Sequence, residues 1–263
     1  MPHSEFSYFD SCAHPTLNGA WTQRRKGMTF EDLASVRLDI PNYDALAIGL
    51  PNVGGYEHEM FKKECDNWGF EGIAAVTTVE ERELEREIDT IVNLGFRGLK
   101  VHPRLLGKNS DLSYLSRIFS LCEKNGIVCL LCTYEADKPG RLPSHDPFYQ
   151  LCDALNQVPE IHLILMHGGG PRLMQFVGLA RHSSSILIDL SFTIADSITA
   201  SLQPLIQDLI SNLDRLICVG SDSPEFEATD VLSKVIVMAT GINRPKVDNV
   251  LSTNLHRFFP GRS

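Results

Sequence analysis

The segment "FDSCAH", residues 9–14, sets an aspartate, a cysteine and a histidine at alternate positions, Asp10, Cys12 and His14. On an extended strand this spacing turns all three side chains to one face. A thiol beside an imidazole there reads either as a metal site or as part of a core. Further groups of the same kind close later apolar runs: Lys100 and His102 in "GLKVHP", Cys132 in "IVCLLCT", His167 in "LILMHGGG" and Asp222 in "ICVGSDSP". Each has an ordinary explanation when taken singly. A histidine ending an apolar strand is commonly a hydrogen-bonded structural residue, a cysteine in "VCLLCT" is commonly core, and Asp222 suits a turn cap. Five strands delivering such groups to the same ends favours a shared site. Parity within the strands agrees, since Cys12 pairs with His14, Lys100 with His102, and Cys218 with Gly220 and Asp222. Cys129 and Cys132 have opposite parity, so they do not form a CxxC metal knuckle.

The elements that must position these groups repeat one plan, an apolar run followed by a polar turn and a helical period. Strands are predicted at 8–14, 45–50, 72–78, 98–102, 127–133, 162–167, 185–191 and 216–222. Helices are predicted between them. In "TVEERELEREIDTIVNLG" Thr78 and Glu81 suggest a capping box, Leu84, Ile88, Ile91 and Val92 form a stripe, and Gly95 stops the helix. Leu112, Leu115, Phe119 and Cys122 repeat the stripe ahead of Gly126. Further helices are expected near 57–67, 147–157, 171–181, 196–212, 227–240 and 245–251. The strands are continuous apolar runs, which suits parallel strands covered on both faces. Eight strand–helix units in 263 residues fit a single (β/α)8 TIM barrel over 1–263. An open doubly wound sheet is the alternative, but no Gly-rich dinucleotide fingerprint follows a strand. In a barrel the strand C-termini converge on one cavity, and the irregular segment 15–27 lies over it.

Lys and Arg number 24 against 33 Asp and Glu, a net charge of −9, and the densest basic run is "RRK" from Arg24 to Lys26. Binding to nucleic acid or to an anionic membrane therefore lacks its usual electrostatic drive, and a small-molecule substrate is the expected partner. A homo-oligomer is compatible with this composition. The N-terminus shows no signal-peptide pattern and no apolar run is long enough to span a bilayer, so a soluble, cytoplasmic protein is expected. Seven cysteines, mostly in apolar stretches, argue against a disulfide scaffold.

With "FDSCAH", "GFRGLKVHP", "LILMHGGG", "ICVGSDSP" and the terminal "VDNVLSTNLHRFF" in this order, the chain resembles the amidohydrolase superfamily over almost its whole length. The nearest branch is the amidohydrolase-related group that includes decarboxylases of aromatic amino acid catabolites and a lactone hydrolase. The resemblance implies a metal held at the strand ends. His14 matches the second histidine of the His-x-His pair, His167 the strand-six histidine and Asp222 the strand-eight aspartate. Cys12 and Cys132 stand where the family carries histidines. Both replacements keep a metal donor, so one Zn²⁺ held by Cys12, His14, His167 and Asp222, with Cys132 as a further candidate, is expected. Asp222 is the expected general base and His167 its catalytic companion, while Lys100, His102 and Arg104 are expected to meet an anionic group of the substrate. The activity implied is metal-dependent hydrolysis of a small, carboxylate-bearing amide, lactone or ester. Rivals are a metal-free lactone hydrolase using His14, His167 and Lys100 as electrophiles, a metal-dependent decarboxylase, and a non-catalytic barrel kept as a binding or scaffolding protein.

Overall fold

A computed structural model describes residues 3–21, 26–107, 111–134 and 146–261, the side chains of 197–199 apart. All eight expected strands are present: β1 (Tyr8–Ala13), β2 (Tyr43–Ile48), β3 (Glu71–Ala75), β4 (Gly98–Val101), β5 (Val128–Cys132), β6 (Leu163–Met166), β7 (Ile186–Asp189) and β8 (Ile217–Cys218). Each pairs in parallel with its neighbour in sequence, in the order β1 to β8. Backbone bonds draw the two outer strands together: Ser11 N–H donates to Val219 O (3.3 Å), Asp222 N–H to Cys12 O (2.7 Å) and His14 N–H to Ser223 O (2.9 Å). The architecture is a (β/α)8 barrel.

Alternation along the strands separates two apolar layers. Phe9, Leu46, Ile48, Ile73, Leu130, Ile164 and Leu187 fill the barrel interior. Their neighbours Leu99, Val101, Leu131 and Ile188 face outward and pack with helical residues such as Ile88, Phe119 and Ile206. The helices that supply this outer layer are α1 (Phe30–Ser35), α2 (His58–Trp68), α3 (Glu81–Asn93), α4 (Leu115–Asn125), α5 (Pro147–Gln157), α6 (Leu173–Ala180), α7 (Gln203–Asn212) and α8 (Ala228–Met238). In α3 the stripe is as expected, with Leu84, Ile88 and Ile91 buried and Val92 half-buried.

Local details differ from the sequence reading at three places. The Thr78–Glu81 capping box does not form: Glu80 opens α3 without a side-chain cap, and the Thr78 hydroxyl instead accepts the Glu80 N–H (3.2 Å). A reciprocal box occurs at Thr29 and Asp32, opening α1, which is too short at six residues to show a helical period. The helix expected at 245–251 runs on, through α9 (Arg244–Asp248), a π turn (Asn249–Thr253) and α10 (Asn254–Phe258). The extension carries Leu255, Phe258 and Phe259 into the interior apolar layer. Phe259 packs where a side chain at Gly98, the first residue of β4, would stand, so this helix closes the barrel at the strand N-termini. The other mouth is left for chemistry. Among the described residues no helix is long and apolar enough to cross a membrane.

Candidate active site

Two groups of polar side chains face each other across the C-terminal mouth. The first straddles the junction of β1 with the segment after β8. Asp10 does not share it, contrary to the alternation expected from sequence. The β1–β2 register shifts between Asp10 and Ala13, so Phe9 and Cys12 both point into the barrel. Asp10 turns the other way and accepts from Tyr43 Oη (2.9 Å), Ser221 Oγ (2.6 Å), and the N–H groups of Ser221 (2.8 Å) and Cys12 (3.0 Å). It fixes the backbone on either side of the junction. Gly220 lets that junction close, because a Cβ there would stand 2.5 Å from the Cys12 nitrogen.

Within this group Cys12 Sγ donates to Asp222 Oδ1 (3.1 Å), while His14 Nε2 lies 3.4 Å from the same oxygen and 3.5 Å from the sulfur. His14 Nδ1 is 3.0 Å from the carbonyl of Ile48. A carbonyl only accepts, so Nδ1 carries a proton, and Nε2 is the nitrogen turned toward Cys12 and Asp222. Burial lowers the His14 pKa and favours the neutral ring. Burial would raise the Asp222 carboxyl, but His167, His14 and Lys100 outweigh it and hold Asp222 well below the usual carboxylate range. The Cys12 thiol is pushed up by burial and by the Asp222 charge.

These three donors suit a metal ion. Tetrahedral zinc with sulfur at about 2.3 Å and nitrogen or oxygen at about 2.0–2.1 Å separates adjacent donors by roughly 3.3–3.6 Å. The observed separations, 3.1, 3.4 and 3.5 Å, are close to that geometry. All three ligand atoms lie within 4.8 Å of one another, which no other His/Cys/Asp/Glu group among the described residues achieves with three or more members. The Nδ1–H bond to a backbone carbonyl is the outer contact that ligating histidines commonly make.

The second group is built from β4 to β7. Lys100 is fully buried, and its Nζ has no hydrogen-bond partner among the described residues. Cys132 lies near the imidazoles of His102 and His167. Burial would raise this thiol, yet the two imidazoles hold it well below the ordinary cysteine value. The His167 pKa is lowered by burial but raised more by Asp222 and Cys132, so the net shift is upward. Cys132 and His167, expected beside Cys12 as ligands, thus stand outside the compact trio and influence each other's proton affinity. The "HGGG" turn after β6 places His167. Gly168, Gly169 and Gly170 all have positive φ, and a side chain at Gly169 would meet the Phe176 ring at 2.1 Å.

Between the groups is a cavity of about 570 Å³ lined by His14, Lys100, His102, Arg104, His167 and Asp222, with Trp21, Leu50, Leu105, Tyr134 and Phe192 as apolar walls. Trp21, from the loop expected over the mouth, stacks on His14 with centroids 5.7 Å apart and donates its indole N–H to Glu225 (2.8 Å). Tyr134 and Phe192 stand edge-on to His167. Residues 22–25 of that loop and 135–145 of the loop after β5 lie outside the described residues. Among the described residues, three of the four non-glycine residues with positive φ, His167, Phe192 and Asp222, line this cavity. Sequence reasoning missed Tyr134, Phe192 and Glu225, which sit in loops without a periodic signal. Asp189 was within reach as a charge inside the apolar run "ILIDL".

Comparison with known proteins agrees with this geometry. The amidohydrolase family model matches residues 34–229. Solved structures share the fold at low identity. An uncharacterised TIM-barrel protein from Bordetella bronchiseptica is 14% identical with a TM-score of 0.77, covering 96% of this chain and 98% of that one. A probable 2-pyrone-4,6-dicarboxylic acid hydrolase from Acinetobacter baumannii, with citric acid bound, is 16% identical with a TM-score of 0.68, covering 97% and 100%. A dihydroxybenzoic acid decarboxylase from Polaromonas, with bound manganese and the inhibitor 2-nitroresorcinol, is 12% identical with a TM-score of 0.67, covering 97% of each chain. No curated protein matches by sequence. With the family model spanning most of the barrel, from the residues before β2 to the start of α8, the chain belongs to the amidohydrolase family and is an enzyme of that family.

Proposed function

We propose that the protein is a metal-dependent hydrolase of a small, carboxylate-bearing amide, lactone or ester. The observation that carries this reading is the spacing of Cys12, His14 and Asp222, three buried donors at tetrahedral separations beside a cavity. Cys12, His14 and Asp222 would hold the ion, for which zinc suits the mixed sulfur, nitrogen and oxygen set. Such an ion supplies Lewis-acid polarisation of the scissile carbonyl.

The chain's own residues supply the rest. Lys100 and Arg104 bind the substrate carboxylate, with His102 beside them, because an unpartnered buried ammonium needs an anion there. Asp222, held ionised, accepts the proton of the attacking water as its oxygen bonds to the carbonyl carbon. His167, with its raised pKa, gives a proton to the departing nitrogen or oxygen as that bond breaks. Trp21, Leu50 and Phe192 exclude bulk water.

Lys100 also gives a specific ground for a second reading, a metal-free lactone hydrolase in which Lys100, His14 and His167 stabilise the developing oxyanion. Elemental analysis of the purified protein separates the two. One zinc per chain that is lost in Cys12→Ser, together with turnover of carboxylate-bearing lactones or amides, supports the first. Turnover by protein free of metal overturns it.

A further inference from the structure

Asp189, at the end of β7, is a fully buried carboxylate that the hydrolytic scheme leaves unused. Its Oδ1 accepts from the Ser11 hydroxyl and from Ser191 N–H (3.0 Å), and its Oδ2 from His167 N–H (3.0 Å) and the Ser191 hydroxyl. Ser191 is also fully buried, and its Oγ lies 2.9 Å from His167 Nδ1, whose second neighbour is the Ser191 carbonyl at 3.2 Å. A hydroxyl has one proton. Given to Asp189, it leaves Ser191 Oγ only able to accept from Nδ1, and the carbonyl can do nothing else.

We propose that Asp189 is a positioning residue that acts through Ser191 to hold His167 as the Nδ1–H tautomer, making Nε2 its working nitrogen toward the cavity. The bond order runs from His167 Nδ1–H to Ser191 Oγ, and from the Ser191 hydroxyl to Asp189. It differs from the support of His14, which rests on the Ile48 carbonyl alone. A charged acceptor two bonds away strengthens the inner bond, and with every partner buried no water competes for Nδ1. Anchoring by Ser11 of β1 ties the ring orientation to the same strand that carries Cys12.

The arrangement rests on His167 being functional, but its test does not require turnover. Ring-¹⁵N-histidine NMR of the full-length protein at alkaline pH, with His167 assigned by loss of its signals in His167→Gln, reads the tautomer directly. The expected spectrum has a protonated Nδ1 with a strongly downfield proton and a bare Nε2. In Ser191→Ala the Nδ1–H rests on the backbone carbonyl of residue 191 alone and its proton should move upfield, while Ser191→Thr, which keeps the hydroxyl, restores the original spectrum. Ser191→Ala leaves three of the four donors to Asp189 in place, so the fold is retained. An Nε2–H tautomer in the wild type, or an unchanged His167 spectrum in Ser191→Ala, overturns the proposal. Failure of the hydrolase reading would show instead as a correct tautomer without metal or turnover.

Discussion

Cys12 and Cys132 are two thiols at one barrel mouth, almost equally buried, and their surroundings drive them in opposite directions. Cys12 lies against the Asp222 carboxylate, and burial plus that negative charge push its pKa up. Cys132 lies between His102 and His167, and the imidazoles reverse the effect of burial and pull it down. Residue type therefore does not decide which is a ligand and which a paired anion. A cation entering beside Asp222 would displace the Cys12 proton, because it supplies the positive charge that the Cys12 surroundings lack. Cys132 already has that charge from its neighbours. In the proposed function this contrast divides the mouth into a metal side and a proton-handling side.

The sharpest way to break this division is Asp222→Asn. It keeps the shape of the side chain and removes its charge, so turnover should fall about 10²-fold or more while the melting temperature stays nearly unchanged. A near-normal rate would return Asp222 to a turn residue. Next in size is the pair Cys12→Ser and Cys132→Ser. Elemental analysis should show zinc lost from the first, because a neutral hydroxyl is a poor donor, and retained in the second. Equal loss from both would make both thiols ligands and erase the contrast.

A smaller effect concerns pH. The raised His167 pKa keeps the protonated ring to higher pH than an ordinary imidazole would, until it is lost as pH rises through the folded-state value. The rate should therefore fall on the alkaline side. Cys132→Ser removes one of the groups that raise the ring, so this limb should move to lower pH; an unmoved limb would detach Cys132 from His167. Asp222, held ionised well below the carboxylate range, should give no loss of rate at mildly acidic pH.

A separate change, read in stability rather than in rate, is expected at Asp10, whose carboxyl burial raises from 3.8 to about 7. Between those values the unfolded chain releases this proton while the folded chain retains it. This contribution to stability is thus complete below about pH 4 and lost as pH rises toward 7, a difference on the order of 4 kcal/mol. Asp10→Asn mimics the protonated form, so urea melts should show a flatter decline between pH 4 and 7. An unchanged slope would mean that Asp10 is ionised throughout.

The barrel was legible because its strands are apolar on both faces and its helices carry clear stripes, as in Leu84, Ile88 and Ile91. The site was legible as a set of strand-end residues, since strand parity alone delivers Lys100 and Cys132 inward. Parity failed at Asp10, where one irregularity in β1 reverses the face, and no composition signal marks such a shift. It also could not separate Cys12, His14 and Asp222 from Cys132 and His167, because the circumference of a barrel is not written along any one strand. The aromatic walls come from loops, whose paths follow from packing rather than period.

The meeting of β1 with the segment after β8 has a consequence for how the enzyme comes into being. Cys12 leaves the ribosome 210 residues ahead of Asp222, which follows the last and shortest strand of the barrel. A nascent chain or a truncated product carries the thiol and the imidazole without the carboxylate that completes the trio. If the trio holds a metal as proposed, such a chain is a poor competitor for it and has no mouth in which to misuse it. Only a finished barrel brings the three donors together, so the seam makes catalytic competence a late event in biosynthesis.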